Sequence, residues 1–402
     1  MAPVPSTFWP QPQPDLDVSR AISLVNFASL CQNASSLRKM PCTYNADVYT
    51  FGGVNIIFEL QFDDGVIWIA RLRRPDEQNP ISGIHFVLES EVATIGFLQR
   101  STTLPIPEVF HHDPRFGTEN LVGLPYMLLE AMPGHRLYGG GFSDFIPDQY
   151  KTKVYRQITN FTLQLLKHPF PHIGMLFPDQ GVPLGVQVAQ IHDQHRRIPP
   201  FGPFKHSYEF YVSRWLSLNQ YYKSTPSGRN LPDPSRIISD DDMPVAIQTI
   251  VNQRMVSGPF YLAHPDYRIS NFLFDDEYNI TALLDWSACQ TVPLESFLNQ
   301  PKGIVPDPDA LVQSTYGRFG FPNFGAVRDR CGRCRTRFLE EFKKGITGQK
   351  DAHILYEMIN SCRPVLATTL DTQGITGIQT WITKDDMDIL RAEHDKEEMK
   401  NN

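Results

Sequence analysis

Two apolar runs, VNIIFELQF (54–62) and VIWIARL (66–72), stand either side of Asp63-Asp64-Gly65. Residues of strong β propensity around a short polar turn closed by glycine predict an antiparallel hairpin. The next run, ISGIHFVLESEVATIGFLQR, changes period: Ile84, Val87, Leu88, Val92, Ile95 and Leu98 recur at helical spacing. LPYMLLEAMPG then reads as a buried strand stopped by Pro133-Gly134. From Tyr150 onward, helix-like segments such as YKTKVYRQITNFTLQLLKH and YEFYVSRWLSLNQYYK take over. A chain of 402 residues is too long for one simple core. The expected fold is therefore α+β and bilobal: a small sheet-plus-helix lobe over 44–132 and a larger, mainly helical lobe over 133–390. A proline-rich arm and one leading helix, VSRAISLVNFASLCQ, precede them over 1–43, and a polar, flexible tail follows over 391–402.

Charge and composition narrow the function. Forty-four acidic against 37 basic residues give a formal charge of -7, which argues against a nucleic-acid partner. No apolar run reaches the ~18 residues that a bilayer requires, so no membrane partner is expected. The opening MAPVPSTFWPQPQPDLD has neither a basic nor an apolar signal region. A cytoplasmic location is the expectation. The six cysteines are sparse and read as reduced thiols. A lone CGRC, Cys331 to Cys334, has no second pair to complete a zinc site and reads as a helix terminus.

The chemistry concentrates in YLAHPDYRISNFLFDDEYNITALLDW, Tyr261 to Trp286. NFLF and ITALLDW read as two strands with Asp275 to Asn279 as the turn. A turn centred near Tyr278 sets Asn271 opposite Asp285, with Cβ atoms ~5 Å apart. A one-residue slip of register would send them to opposite faces. An amide oxygen and a carboxylate that converge can seat Mg2+, which takes oxygen ligands and completes its shell with water and phosphates. Asp266, in the loop that enters the hairpin, can accept a proton from an attacking hydroxyl or orient it. His264 is better placed to brace the loop.

The small lobe offers a cation and an acid. Arg71 shares a strand face with Ile67 and Ile69, while Trp68, Ala70 and Leu72 take the other. Glu91 falls on the apolar stripe of the following helix, where a carboxylate needs a partner. Arg71 is the natural one, either as a nucleotide-site pair or as a plain buried ion pair. Gly52 and Gly53 precede a strand, where backbone amides can approach phosphates or simply make a turn.

HPDYRISN followed by LLDW resembles the HxDxxxxN motif and metal-binding Asp of the aminoglycoside phosphotransferase family, which has the protein-kinase-like fold. The likeness runs from about Tyr44 to Phe297 and is strongest to members abundant in filamentous fungi. It implies Asp266 as catalytic Asp, Asn271 and Asp285 as Mg2+ ligands, and Arg71 with Glu91 as the strand cation and helix acid. LPYMLLEAMPG resembles the interlobe linker, which implies that the backbones of Glu130 and Met132 face the adenine edge of ATP or GTP. Pro265 and Arg268 depart from the Gly and His that many relatives carry. Arg268 either contacts a phosphate or caps the loop. The resemblance implies a kinase acting on a hydroxyl of a small molecule. Its rivals are a pseudokinase that binds a nucleotide or partner, and a kinase-fold enzyme turned to other secondary-metabolite chemistry.

Overall fold

The computed structural model describes residues 16–75, 84–137, 146–193 apart from 180 and 183, 198–224, 241–305 and 324–361, with a few isolated residues beyond. The proline-rich arm and the tail fall outside them. In chain order the elements are α1 (Leu16–Ser23), α2 (Phe27–Arg38), β1 (Cys42–Phe51), β2 (Asn55–Phe62), β3 (Ile67–Arg73), α3 (Ile84–Ser101), β4 (Val109–Asp113) and β5 (Tyr126–Glu130). The large lobe continues with α4 (Asp148–Leu166), β6 (Met175–Pro178), β7 (Val186–Ala189), α5 (Ser207–Ser224) and α6 (Met243–Ile250). Then come β8 (Tyr261–Ala263), β9 (Phe272–Phe274), β10 (Ile280–Leu283), β11 (Gln290–Val292), α7 (Leu294–Phe297), α8 (Phe324–Ile346) and α9 (Ala352–Asn360).

The small lobe is an antiparallel sheet of order β1-β2-β3-β5-β4. The expected hairpin forms β2 and β3, and Gly65 takes φ +83° in its turn, a conformation suited to glycine. The pleat sorts side chains as the alternation requires. Phe58, Leu60, Trp68, Ala70 and Leu72 enter one apolar cluster together with Val18 and Ala21 of α1 and Leu30 and Ala34 of α2. The helix-like run at the N-terminus is thus two helices rather than one, and both cover the outer face of the sheet. Asn26 divides them: its side chain accepts a hydrogen bond from Ser29 N–H and caps α2. On the opposite face α3 packs Leu88 against Met127 and Leu129. The same face carries Arg71, paired in register with Met127.

In the large lobe, α4 and α8 pack together on a core that includes Tyr155, Phe272, Phe274, Trp286, Phe338 and Phe342. A second core joins α5 and α6 through Phe210, Tyr211, Trp215 and Ile247. CGRC lies inside α8 rather than at a helix terminus, and both thiols are buried and in no disulfide. Two cysteines three residues apart fall on the inward stripe of that helix, which explains the spacing by packing. Among the described residues no helix is long and apolar enough to cross a membrane.

The lobes meet at the linker that follows β5. His135 exchanges two backbone hydrogen bonds with Phe274, each 2.9 Å, so the linker is sewn to the hairpin of the site. Gly134, at φ +103°, makes this approach possible: an added Cβ would strike Thr281 Oγ1 and the Phe274 carbonyl. Gly134→Ala is expected to destabilise the protein by at least about 1–2 kcal/mol from backbone strain alone. A lowered melting temperature checks this.

Candidate active site

β8 delivers the chain to His264, which is buried against Trp286. Its Nε2–H donates to the Leu284 carbonyl (2.8 Å) and its Nδ1 accepts from Asp266 N–H (3.2 Å). Those two bonds specify the neutral tautomer. Burial lowers the pKa of His264, more than the Leu284 bond and the nearby Asp285, Asp266 and Glu91 raise it. His264 therefore fixes the loop from both sides, one bond to each arm.

Asp266 follows in the loop, half exposed, and a 3-10 turn (Ile269–Asn271) brings Asn271 back beneath it. Asn271 Nδ2 donates to the Asp266 carbonyl (2.8 Å) and to Asp266 Oδ2 (3.0 Å). With the amide nitrogen committed, Asn271 Oδ1 is the atom left for a cation.

The register of the hairpin differs from expectation. Phe272 pairs with Leu283, and Leu284 N–H donates to the Asn271 carbonyl, so Asn271 faces Leu284 rather than Asp285. An irregularity between Ile280 and Ala282 shifts the pairing by one residue. Such a slip reverses faces in a regular strand. Here Asp285 has left the strand and adopts φ +64°, which redirects its side chain toward Arg71.

Arg71 and Glu91 meet as the strand and helix patterns require, with Arg71 Nη2 to Glu91 Oε2 at 2.5 Å. The Glu91 side chain is 3% exposed and that of Arg71 11%. Arg71 Nη1 also stands 3.8 Å from Asp285 Oδ1. Ser287 Oγ donates to the same Glu91 oxygen (2.8 Å), joining α3 to the segment after Asp285. Two groups thus form, Arg71–Glu91–Asp285 and Asp266–Asn271, joined through Leu284, whose N–H donates to the Asn271 carbonyl and whose carbonyl accepts from His264.

The remaining candidates lie along the edges of this cluster. Gly52 and Gly53 form the β1–β2 turn, closed by Gly52 N–H to the Asn55 carbonyl (2.9 Å). An added Cβ at either meets nothing within 4 Å, and neither has positive φ, so neither packing nor the turn demands glycine there. Asn55 and Arg71 line one shared cavity with Arg73 and Glu91. Glu130 ends β5, three residues beyond Met127, whose Sδ lies 3.3 Å from Arg71 Nη2. Glu130 N–H donates to the Glu108 carbonyl, and Met132 lies two residues on, in the linker.

Sequence reasoning missed Ser287 and Lys302. Ser287 had a faint signal, its place two residues after Asp285. Lys302 had none, because its β-bridge to Arg268 in the Asp266 loop is a long-range contact. Arg268 itself caps the loop, its Nε 2.8 Å from Asp266 Oδ2.

The donor set fits a hard cation. Asp285 Oδ1 is buried and faces Arg71 Nη1 at 3.8 Å, beyond hydrogen-bond reach, so its hydrogen-bonding capacity is left unused. Among the described residues no three His, Cys, Asp or Glu cluster as a metal cage. Mg2+ does not need one, since it commonly binds through one or two protein oxygens plus substrate phosphates.

The chain belongs to the phosphotransferase enzyme family, whose sequence model matches residues 68–294, more than half its length. It is similar to a subtelomeric hrmA-associated cluster protein of Aspergillus fumigatus, 32% identical over 143 residues, covering 35% of this chain and 26% of that one. It is also similar to the clavilactone A biosynthesis cluster protein Y of Ampulloclitocybe clavipes, 24% identical over 243 residues, covering 58% and 57%. The match thus spans from about a quarter to just over half of these relatives. Among solved structures, a choline kinase from Cryptosporidium parvum aligns over 95% of this chain and 94% of its own, at 11% identity and TM-score 0.46.

The state of His264 makes a pH prediction. Above pH ~6.5 the folded and unfolded chains both keep this imidazole neutral. Below it the unfolded chain takes up a proton that the folded chain refuses, so stability falls as pH falls, by up to ~1.4 kcal/mol per pH unit. His264→Gln keeps a donor for Leu284 and removes the titration. Melting temperatures between pH 7.5 and 5 should fall less steeply for the variant than for wild type.

Proposed function

We propose that this chain is a Mg2+-dependent kinase that transfers the γ-phosphate of ATP or GTP to a hydroxyl of a small metabolite. The observation that carries the reading is Asp285 Oδ1, a buried atom with no hydrogen bond that faces Arg71 Nη1 at 3.8 Å, one residue beyond the Asn271–Leu284 bond. Asn271 and Asp285 would hold Mg2+. When bound, the ion neutralises charge on the phosphates and stabilises the developing charge of the transfer.

The chain's own groups supply the rest. Arg71, oriented by Glu91, presents a fixed cation to the nucleotide phosphates, and Ser287 limits the ways in which Glu91 can turn. The turn at Gly52 and Gly53 has room around it, and with the Gly52 N–H taken by the Asn55 carbonyl it offers the Gly53 amide. The Glu130 carbonyl and the Met132 N–H would meet the adenine edge. Asp266 has its Oδ2 held by Asn271 and Arg268, which leaves Oδ1 to orient the acceptor hydroxyl and accept its proton. Positioning and preset charge, rather than covalent chemistry, account for catalysis in this reading.

Two variants test it. Asp285→Asn is expected to abolish Mg2+-dependent stabilisation by ATP or GTP in thermal-shift titrations, since a ligand that binds the folded state must raise its stability. Asp266→Ala should keep that shift and lose several powers of ten in turnover, each about 1.4 kcal/mol of barrier. An unchanged nucleotide shift in Asp285→Asn would remove Asp285 from the metal site.

A further inference from the structure

Beside Asp266 the structure gathers two cations from distant parts of the chain. Arg268 lies in extended backbone in the catalytic loop and forms a parallel β-bridge with Lys302. The bridge is anchored by Ile269 N–H to the Lys302 carbonyl (2.8 Å) and Lys302 N–H to the Tyr267 carbonyl (2.9 Å). Residues paired across a parallel bridge project their side chains to the same face. Arg268 turns its Nε to Asp266 Oδ2 at 2.8 Å. Lys302 feels both neighbours: desolvation by the surrounding protein lowers its pKa first, Asp266 raises it and Arg268 lowers it.

The pairing does little for stability. The Arg268 side chain is 56% exposed and that of Asp266 42%, and an exposed ion pair contributes little in water. Its chemical effect is larger. Asp266 neutralises one of the two cations, so the patch next to the proposed base keeps a net positive charge. Arg268 has four further N–H donors after its Nε, in a planar fork that matches carboxylate and phosphate oxygens. Among the described residues the Lys302 ammonium has no hydrogen-bond or ion-pair partner, and it adds three more donors.

We infer that Arg268 and Lys302 form an oxyanion-recognition site for the acceptor, so that the metabolite phosphorylated here carries a carboxylate or phosphate group close to its reacting hydroxyl. The inference rests on the kinase reading above and deepens it by naming the class of substrate. An acceptor amine in the same place would face two like charges and lose affinity. An oxyanion clamped by the fork would fix the hydroxyl against Asp266 Oδ1, which is the kind of orientation that sets reaction rate.

The test uses the full chain, wild type and the variants Arg268→Gln and Lys302→Gln. Both altered side chains lie at the surface, and melting curves verify that the variants fold. Binding of glycerate, glycerol 3-phosphate, glycerol and ethanolamine is followed by ligand-observed NMR, with and without Mg2+-ADP. The expected result is that an anionic probe binds at least tenfold tighter than glycerol and ethanolamine. Each variant should remove at least tenfold of that affinity. Preference for glycerate over glycerol 3-phosphate, or the reverse, assigns the oxyanion as carboxylate or phosphate. The proposal is overturned if no anionic probe is preferred, or if neither variant weakens it. It is also overturned if the variants weaken Mg2+-ATP in calorimetric titration while leaving the probes unaffected, because the cations would then serve the nucleotide. Absence of any nucleotide binding to wild type would defeat the kinase reading separately, and the probe titrations without nucleotide would still decide the anion site.

Discussion

The buried carboxylate of Glu91 is the constraint to which the rest of the site answers. At 3% exposure a lone carboxylate would shed its charge or cost several kcal/mol. Two donors from different elements prevent this: Arg71 of β3 and Ser287 of the segment after β10 share its Oε2. A sheet strand of the small lobe, the helix against it and the segment of the large lobe after Asp285 are therefore tied at one atom. Glu91 Oε1 is already buried without a hydrogen bond, so removing either donor from Oε2 would leave the charge still less satisfied.

The guanidinium makes this junction possible. Arg71 sends Nη2 to Glu91 and stands with Nη1 3.8 Å from Asp285, one planar group spanning two carboxylates. A lysine ammonium is a point charge at the end of a flexible stem and would have to choose between them. Arg73 follows two residues on, buried beside Arg71, and burial together with that like charge lowers its pKa to about 10.

Much of this was legible in the sequence, and the reasons differ by residue. Arg71 and Glu91 could be paired because alternation in a strand and the stripe of a helix are local periodicities, and a charge on either apolar face announces a partner elsewhere. The α+β division into two lobes followed from the change of period along the chain. The pairing of Asn271 with Asp285 was off by one residue because an irregularity near Thr281 leaves no visible mark in the sequence. The left-handed backbone that turns Asp285 toward Arg71 has no local cause, since nothing about aspartate demands positive φ. The two helices over the sheet were read as one because a capping asparagine inside a continuous helical pattern is a small signal. CGRC was assigned to a helix end, yet its spacing proved to be that of a buried stripe.

What no local pattern could supply is the arrangement of charge around Asp266. His264 is held neutral with both ring nitrogens committed, Asn271 has its amide nitrogen engaged, and Arg268 occupies one carboxylate oxygen. Each bond withdraws a competing state: a protonated imidazole, a flipped amide, a rotated carboxylate. The loop thereby presents one oxygen of Asp266 in one orientation, and it does so before any ligand arrives. If Asp266 is the base proposed above, it need not be reorganised during reaction, and the cost of that order is met in folding rather than in each turnover. The same logic explains why the strained backbone lies at Asp285 and not at Asp266. Asp285 must leave a strand to face Arg71, whereas Asp266 is set in place by hydrogen bonds that the loop sequence already provides.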